Sequence, residues 1–293
     1  MADCTTWLSY AKINLYLEVL NRRRDGFHNI ETLFQSVGLA DRLTFQPRPA
    51  GLSMTCSTDA LECGPGNLVH RAATLLQQYT GCTQGVHVHL DKRIPIAAGL
   101  AGGSGNAAAT LAALNALWGL GLPAARLRAL GLALGSDVPY CIEGGTVAAT
   151  GRGERLHRLE PLPETWFVLV HPPIAVTARE VYTSPVLERS GERPFAGRTA
   201  SFRRALRALR AGDWPRLVFN RMERPVFALH PELAAIPQRL VDAGCCAAAM
   251  SGSGPTCFGV CTSRAGADRA AGAVGEYPAS VVASVDSGVE RAD

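Results

Sequence analysis

Pro95-Ile-Ala-Ala-Gly-Leu-Ala-Gly-Gly-Ser-Gly-Asn106 packs four glycines and several small residues into a turn that runs straight into a helical pattern. Gly99, Gly102, Gly103 and Gly105 are placed to let the backbone take left-handed angles and approach a ligand closely. Ala107, Leu111, Leu114 and Trp118 then recur as the apolar face of a helix. Backbone N–H groups in such a turn face an anion at the positive end of the helix, so the segment reads as a phosphate cradle. It lacks the Lys-Ser/Thr of the P-loop, and its glycines do not fit G-x-G-x-x-G. Taken alone, the same residues also describe a tight turn before an alanine-rich helix.

Upstream, Ala11, Ile13, Leu15, Leu17 and Val19 alternate with Lys12, Asn14, Tyr16 and Glu18, which predicts a half-buried strand. Lys12 and Asn14 then project from one face about 7 Å apart, close enough to reach one ligand, or simply form the wet side of a sheet. Arg22-Arg-Arg-Asp-Gly-Phe-His28 reads as a turn, and residues 33–45 as further extended chain. Gly66-Asn67 opens a helix, and Val86-His-Val-His-Leu90 is another alternating strand. His87 and His89 share a face without an evident third ligand, so they read as solvent-facing rather than zinc-binding. A second helix begins near Pro123 and stops at Gly135, just before Ser136-Asp137-Val138-Pro139. Asp137 suits a helix N-cap as well as it suits a catalytic acid.

Beyond a polar stretch at 151–163, which reads as a domain boundary near residue 160, come a strand at 166–170 and helices near 202–211 and 231–243. Residues 246–260 read as strand, tight loop and strand, with Ser251-Gly-Ser-Gly254 as a second loop able to bring N–H groups near an anion, or as a hairpin turn. The 293 residues suffice for two domains, one of residues 1–160 and one of 161–293.

The formal net charge is +4, carried almost entirely by arginine, with Lys12 and Lys92 as the two lysines. This suits an anionic small ligand but is too modest and dispersed to argue for nucleic acid. Arg203, Arg204, Arg207 and Arg210 recur at helical spacing as a solvated face. No apolar run reaches membrane-spanning length, and the first residues lack the pattern of a signal peptide. The nine cysteines are odd in number and scattered, so reduced thiols and a cytoplasmic location are expected.

Ala11-Lys-Ile-Asn14, the 95–108 segment and Met250-Ser-Gly-Ser-Gly254 resemble the three ordered motifs of the GHMP small-molecule kinases. Arg24-Asp-Gly-Phe-His28, Glu31-Thr-Leu-Phe-Gln35 and Leu134-Gly-Ser-Asp-Val-Pro139 resemble the branch whose substrate is a methylerythritol carrying a cytidine diphosphate. The resemblance implies a two-domain α/β (α+β) fold, with a ribosomal-protein-S5-like N-terminal domain, a ferredoxin-like C-terminal domain and a cleft site. It implies ATP-dependent phosphorylation of the substrate's 2-hydroxyl, a step toward isoprenoid precursors, with Mg²⁺ expected. It carries over Asp137 as catalytic base with Lys12 as its partner, and Asn14, Phe27, His28, Thr177 and Tyr182 as substrate-binding, Phe27 and His28 lining a cytidine pocket. Asn67 falls near the adenine, and Pro95, Ile96, Ala97, Ala98, Gly99, Leu100, Ala101, Gly102, Gly103, Ser104 and Gly105 around the phosphates. The chain departs from the family pattern at Ala97-Ala98 and Gly105-Asn106. Metal ligands stay unassigned, with Ser104 a candidate contact, and oligomeric state is open. The competing readings are a relative acting on mevalonate or homoserine, a related decarboxylase, and a non-catalytic nucleotide-binding protein.

Overall fold

The computed structural model describes residues 4–194 and 197–292. Two long strands, β1 (Thr5–Arg22) and β2 (His28–Arg48), form an antiparallel hairpin whose turn places Gly26 at φ 88°. The pairing carries register shifts at Tyr10/Ala11, Asn14/Tyr16 and Val19/Asn21. Next come β3 (Leu52–Cys56), α1 (Leu68–Thr80), β4 (Gly85–Asp91), α2 (Gly102–Leu117), α3 (Ala124–Leu134), α4 (Val138–Glu143), β5 (Thr146–Gly151) and β6 (Arg155–Arg158). The second half adds β7 (Trp166–Val170), α5 (Ala178–Thr183), α6 (Ala200–Ala211), α7 (Trp214–Leu217), β8 (Phe219–Asn220) and α8 (Glu223–Leu229). It closes with α9 (Ile236–Asp242), β9 (Ala247–Met250), β10 (Cys257–Cys261), α10 (Arg264–Ala273), β11 (Ala279–Val285) and β12 (Val289–Arg291).

β2 organises the sheet: residues 30–35 pair β5, residues 42–48 pair β4, and Ser36 and Val37 between them meet β11. β11 also pairs β7, and β7 leads on to β10 and β9, so one path of strands joins the two halves of the chain. Apolar packing joins them too. Ala11, Ile13, Leu15 and Val37 of the hairpin share a core with Phe167, Phe202, Phe258 and Val260. A second core draws on residues 34–149, under α1 and α2, while a third lies in the second half but still includes Leu17, Val19 and Ile30.

β1 is buried on both faces from residue 11 to residue 20, not on one face as its alternation predicts. Its polar side chains are covered because each finds partners inside. Glu18, for instance, accepts two hydrogen bonds from Arg221 at 2.8 and 2.9 Å. The helix expected over 231–243 is broken into a 3₁₀ turn at Pro231–Leu233 and the shorter α9, with Pro237 in its first turn. Proline lacks the N–H an interior helical position needs and disfavours helical angles in the residue before it. His87 and His89 hydrogen-bond to Ser53 and Thr55 of β3 across the exposed sheet face. Among the described residues, no helix is long and apolar enough to cross a membrane.

Candidate active site

Between β4 and α2 the chain turns through three left-handed residues, Ala97 (φ 54°), Gly99 (φ 73°) and Ala101 (φ 58°). Of the four glycines expected at such angles only Gly99 has one, since Gly102, Gly103 and Gly105 lie within α2. There, small size serves close packing. A Cβ on Gly102 would sit 2.9 Å from Lys92 Nζ, and one on Gly105 would run into the Ser9 hydroxyl of β1. At Gly99 the backbone of Ser251 fills the space a side chain would need. The two left-handed alanines carry a cost of about 1–2 kcal/mol each. Burial of Ala98 and Leu100 beside them holds the loop in place.

Ala101 is the N-cap of α2 and makes no side-chain capping hydrogen bond. The first N–H groups of the helix therefore lack protein partners of the usual kind. Gly102, Gly103 and Ser104 line a cavity of about 430 Å³, together with Asn67, Lys92 and residues 95–99. Asn67 is itself the N-cap of α1, its amide oxygen accepting from Val69 N–H at 2.9 Å while its nitrogen donates to the Glu62 carbonyl at 2.7 Å. Beneath the cradle lies Asp41, fully buried. It accepts from Lys92 Nζ at 2.6 Å, the Arg93 and Ile94 N–H groups at 2.7 and 2.8 Å, and Asn106 Nδ2 at 2.8 Å. One carboxylate thus ties the entry of the cradle to the helix that leaves it, with Asn106 as the link on the helix side. Burial lowers the Lys92 pKa against the opposing charge of Asp41.

A second cavity, of about 610 Å³, opens on the other side of the cradle and shares Gly99, Ala101 and Ser104 with the first. Lys12, Asn14 and Asp137 line it. The Lys12 ammonium donates to Asn14 Oδ1 at 2.6 Å and to the Gly99 carbonyl at 3.0 Å. Asn14 Nδ2 donates to Thr32 at 2.8 Å, so the asparagine amide is committed to orienting the lysine. Burial pulls the Lys12 pKa below its ordinary value, and the nearby Asp137 carboxylate opposes that shift. Asp137 stands at the N-cap of α4 but makes no side-chain capping bond. Its carboxylate is not spent on the helix, so the capping interpretation fails here.

The far end of this cavity is aromatic. His28 is buried, stacks on Tyr182 with ring centroids 5.0 Å apart, and has no hydrogen-bond partner for Nε2. Burial, aided by Arg189 and Arg22, lowers its pKa and so favours the neutral ring. Phe27 is 50% exposed, with the Arg152 guanidinium 4.4 Å from its ring centre. Tyr182 comes from α5, along with Arg179 and Thr183. Thr177 does not line the cavity. Its hydroxyl belongs to a capping box with Glu180 at the start of α5. The motif residues Glu31 and Gln35 also stand outside the cavity. Glu31 receives the Thr199 N–H at 2.8 Å and Gln35 reaches the Val285 carbonyl at 3.0 Å, both contacts between the two halves.

Asp41, Arg152, Arg179, and Asn220 and Glu223, which hold the 251–254 loop, escaped the sequence reading. Arg152 and Arg179 are two among many arginines, and Asp41 one acid in a strand. No local pattern marks them.

The chain matches two family descriptions, GHMP kinases N terminal domain over residues 67–145 and GHMP kinases C terminal over residues 195–279. It belongs to the GHMP kinase family, ATP-dependent kinases of small molecules with this two-part α/β fold. Within the family it is 46% identical to 4-diphosphocytidyl-2-C-methyl-D-erythritol kinase of Moorella thermoacetica, over 96% of this chain and 98% of that protein. It is 40% identical to the protein of the same description from Enterococcus faecalis, over 88% and 90% of the two chains. The crystal structure of a 4-(cytidine 5'-diphospho)-2C-methyl-D-erythritol kinase superposes with a TM-score of 0.79 at 37% identity, covering 95% of this chain and 98% of that one. Homoserine kinase of Cytophaga hutchinsonii shares the fold at 18% identity and a TM-score of 0.77, covering 99% and 98%.

Proposed function

We propose that this protein transfers the γ-phosphoryl group of ATP to the 2-hydroxyl of 4-diphosphocytidyl-2-C-methyl-D-erythritol, on the way to isoprenoid precursors. The carrying observation is that the cavity at the α2 N-terminus and the cavity holding Lys12 and Asp137 share one wall, Gly99, Ala101 and Ser104. ATP in the first cavity sets its phosphates against the free N–H groups of the helix start, with the base toward Asn67. The acceptor alcohol enters the second, so donor and acceptor meet at the shared wall.

Asp137 accepts the proton of the attacking hydroxyl, and the Lys12 ammonium offsets charge at that oxygen. Asn14 holds the ammonium in direction. Ser104, on the shared wall, and Asp137, elsewhere in the second cavity, are oxygen donors that would suit a magnesium ion arriving with the nucleotide, since Mg²⁺ takes few protein ligands and completes its shell with phosphate and water. A magnesium ion held there would supply charge neutralisation for the transferring phosphoryl group. The pyrimidine lies among Phe27, His28 and Tyr182, whose rings line the second cavity and offer aromatic faces for stacking. An alcohol without a base would leave those aromatic faces uncovered.

The test is an ADP-release assay with the cytidine substrate, mevalonate and homoserine, with product masses recorded. Turnover confined to the cytidine substrate, giving a product heavier by one phosphoryl group, is the expected result. Preference for either smaller alcohol, or release of carbon dioxide, overturns the reading.

A further inference from the structure

Asn220, the last residue of β8, is 3% exposed and lines neither cavity. β8 pairs with β1 at Tyr16 and Leu17, so the residue lies beside the strand that carries Lys12. Its amide nitrogen donates to two carbonyls, Met250 at 2.7 Å and Gly252 at 2.8 Å, and its oxygen accepts the Met222 N–H at 2.9 Å. Glu223 accepts the Met250 N–H at 2.8 Å and secures the same strand end. The loop these residues hold contains Gly252 at φ 57° and Gly254 at φ 77°, residues with wide conformational freedom, so it needs such a tether.

That loop bears on the catalytic lysine. Ser251 Oγ accepts the Asn14 N–H at 3.3 Å and donates to the Gly99 carbonyl at 3.1 Å. The Gly99 carbonyl also receives the Lys12 ammonium. Gly252 lies so near that a Cβ there would be 3.0 Å from Lys12 Nζ. A continuous path therefore runs from Asn220, through two backbone carbonyls and Ser251, to the groups that aim the ammonium.

We propose that Asn220 is a positioning residue for phosphoryl transfer: by clamping the Met250 and Gly252 carbonyls it sets Ser251 and Gly252 against Gly99, and so fixes where the Lys12 ammonium points. The inference rests on the reading of Lys12 as a catalytic group. An amide suits the task because one nitrogen carries two hydrogens for two carbonyls, whereas a carboxylate offers none. A misplacement of about 1 Å at a reacting centre can cost about a hundredfold in rate.

Asn220→Asp keeps the shape and removes both donors. The expected result is a folded enzyme whose kcat falls roughly ten- to a hundredfold while KM for ATP and for the cytidine substrate stays within about twofold. The deficit relative to the parent should narrow toward acidic pH, because the introduced carboxyl, once protonated, regains one donor. A purely structural role would instead lower the melting temperature and leave kcat of the folded enzyme near the parental value. Parental kcat, a change confined to KM, or a deficit equal at every pH overturns the proposal. If Asn220→Asp does not fold, Ser251→Ala decides: a loss confined to kcat supports the path, and parental kcat refutes it. Lys12→Met separates the two levels. An inert Asn220→Asp beside an inactive Lys12→Met removes only this inference, whereas an active Lys12→Met removes the catalytic reading beneath it.

Discussion

The Asp137 carboxylate and the Lys12 ammonium face one cavity, and the charge of the first counteracts the effect of burial on the second. An ammonium 4% exposed would otherwise be driven toward its neutral form. The carboxylate thus opposes the loss of charge that burial imposes on the lysine.

Asp137→Asn retains size and removes the basic carboxylate. Turnover should fall by about two to four powers of ten with ATP affinity close to parental. Because the Asp137 side chain makes no capping bond, any fall in melting temperature reports the buried Lys12 ammonium left without its opposing charge, not a lost helix cap. Parallel ADP-release, ATP titration and melting measurements check this, and parental turnover would mean that another group takes the proton.

With Lys12 and Lys92 as the two lysines, selective side-chain labelling should give two lysine signals, both titrating below the ordinary 10.5. In Asp137→Asn the Lys12 signal should move further down and the Lys92 signal stay put. Linkage sets the sign for stability. A lysine lowered by burial penalises the fold while charged, and the penalty lifts as pH rises through the folded value toward 10.5, so the parent should gain on Lys12→Met across that window. Titration of either lysine at 10.5 or above would contradict the burial argument.

Phe27→Ala and His28→Ala should weaken the cytidine-bearing substrate by roughly ten- to a hundredfold, since base stacking on an aromatic ring contributes about 1–3 kcal/mol. ATP affinity should stay near parental, because both residues line only the second cavity. A matched alcohol lacking cytidine should bind the parent poorly and the variants no worse. Equal losses on both substrates would make the turn a structural element.

Glu223 is pushed up to about 7 by burial, against the opposing hydrogen bond from Met250 N–H. A raised carboxyl stabilises the fold while protonated, so stability should fall as pH rises from about 4.5 to about 7 and then level off. Glu223→Gln keeps an oxygen for the Met250 N–H and should flatten that slope. Urea unfolding at about pH 5 and about pH 8 compares the two proteins, and equal slopes would show that Glu223 does not titrate there.

Residue order alone determined the strands around Lys12, the helix after the cradle, and the strand, loop and strand around Ser251, because each is a local matter of periodicity and of glycine placement. It also placed Lys12 and Asn14 on one strand face, where the 2.6 Å hydrogen bond between them is found. The covering of that face was decided elsewhere, by Ser251 over Gly99 and by Arg221 on Glu18, partners more than a hundred residues away in the chain. Likewise Asp41 acquires its role only when α2 brings Asn106 to it, and Asn220 only when β8 lies beside β1. Left-handed angles fell on Ala97 and Ala101 instead of Gly102 and Gly103 for the same reason. Glycine permits such a backbone, but the packing of the cradle against β1 and the 251–254 loop chooses where it occurs, and packing between distant segments leaves no periodic trace in the sequence.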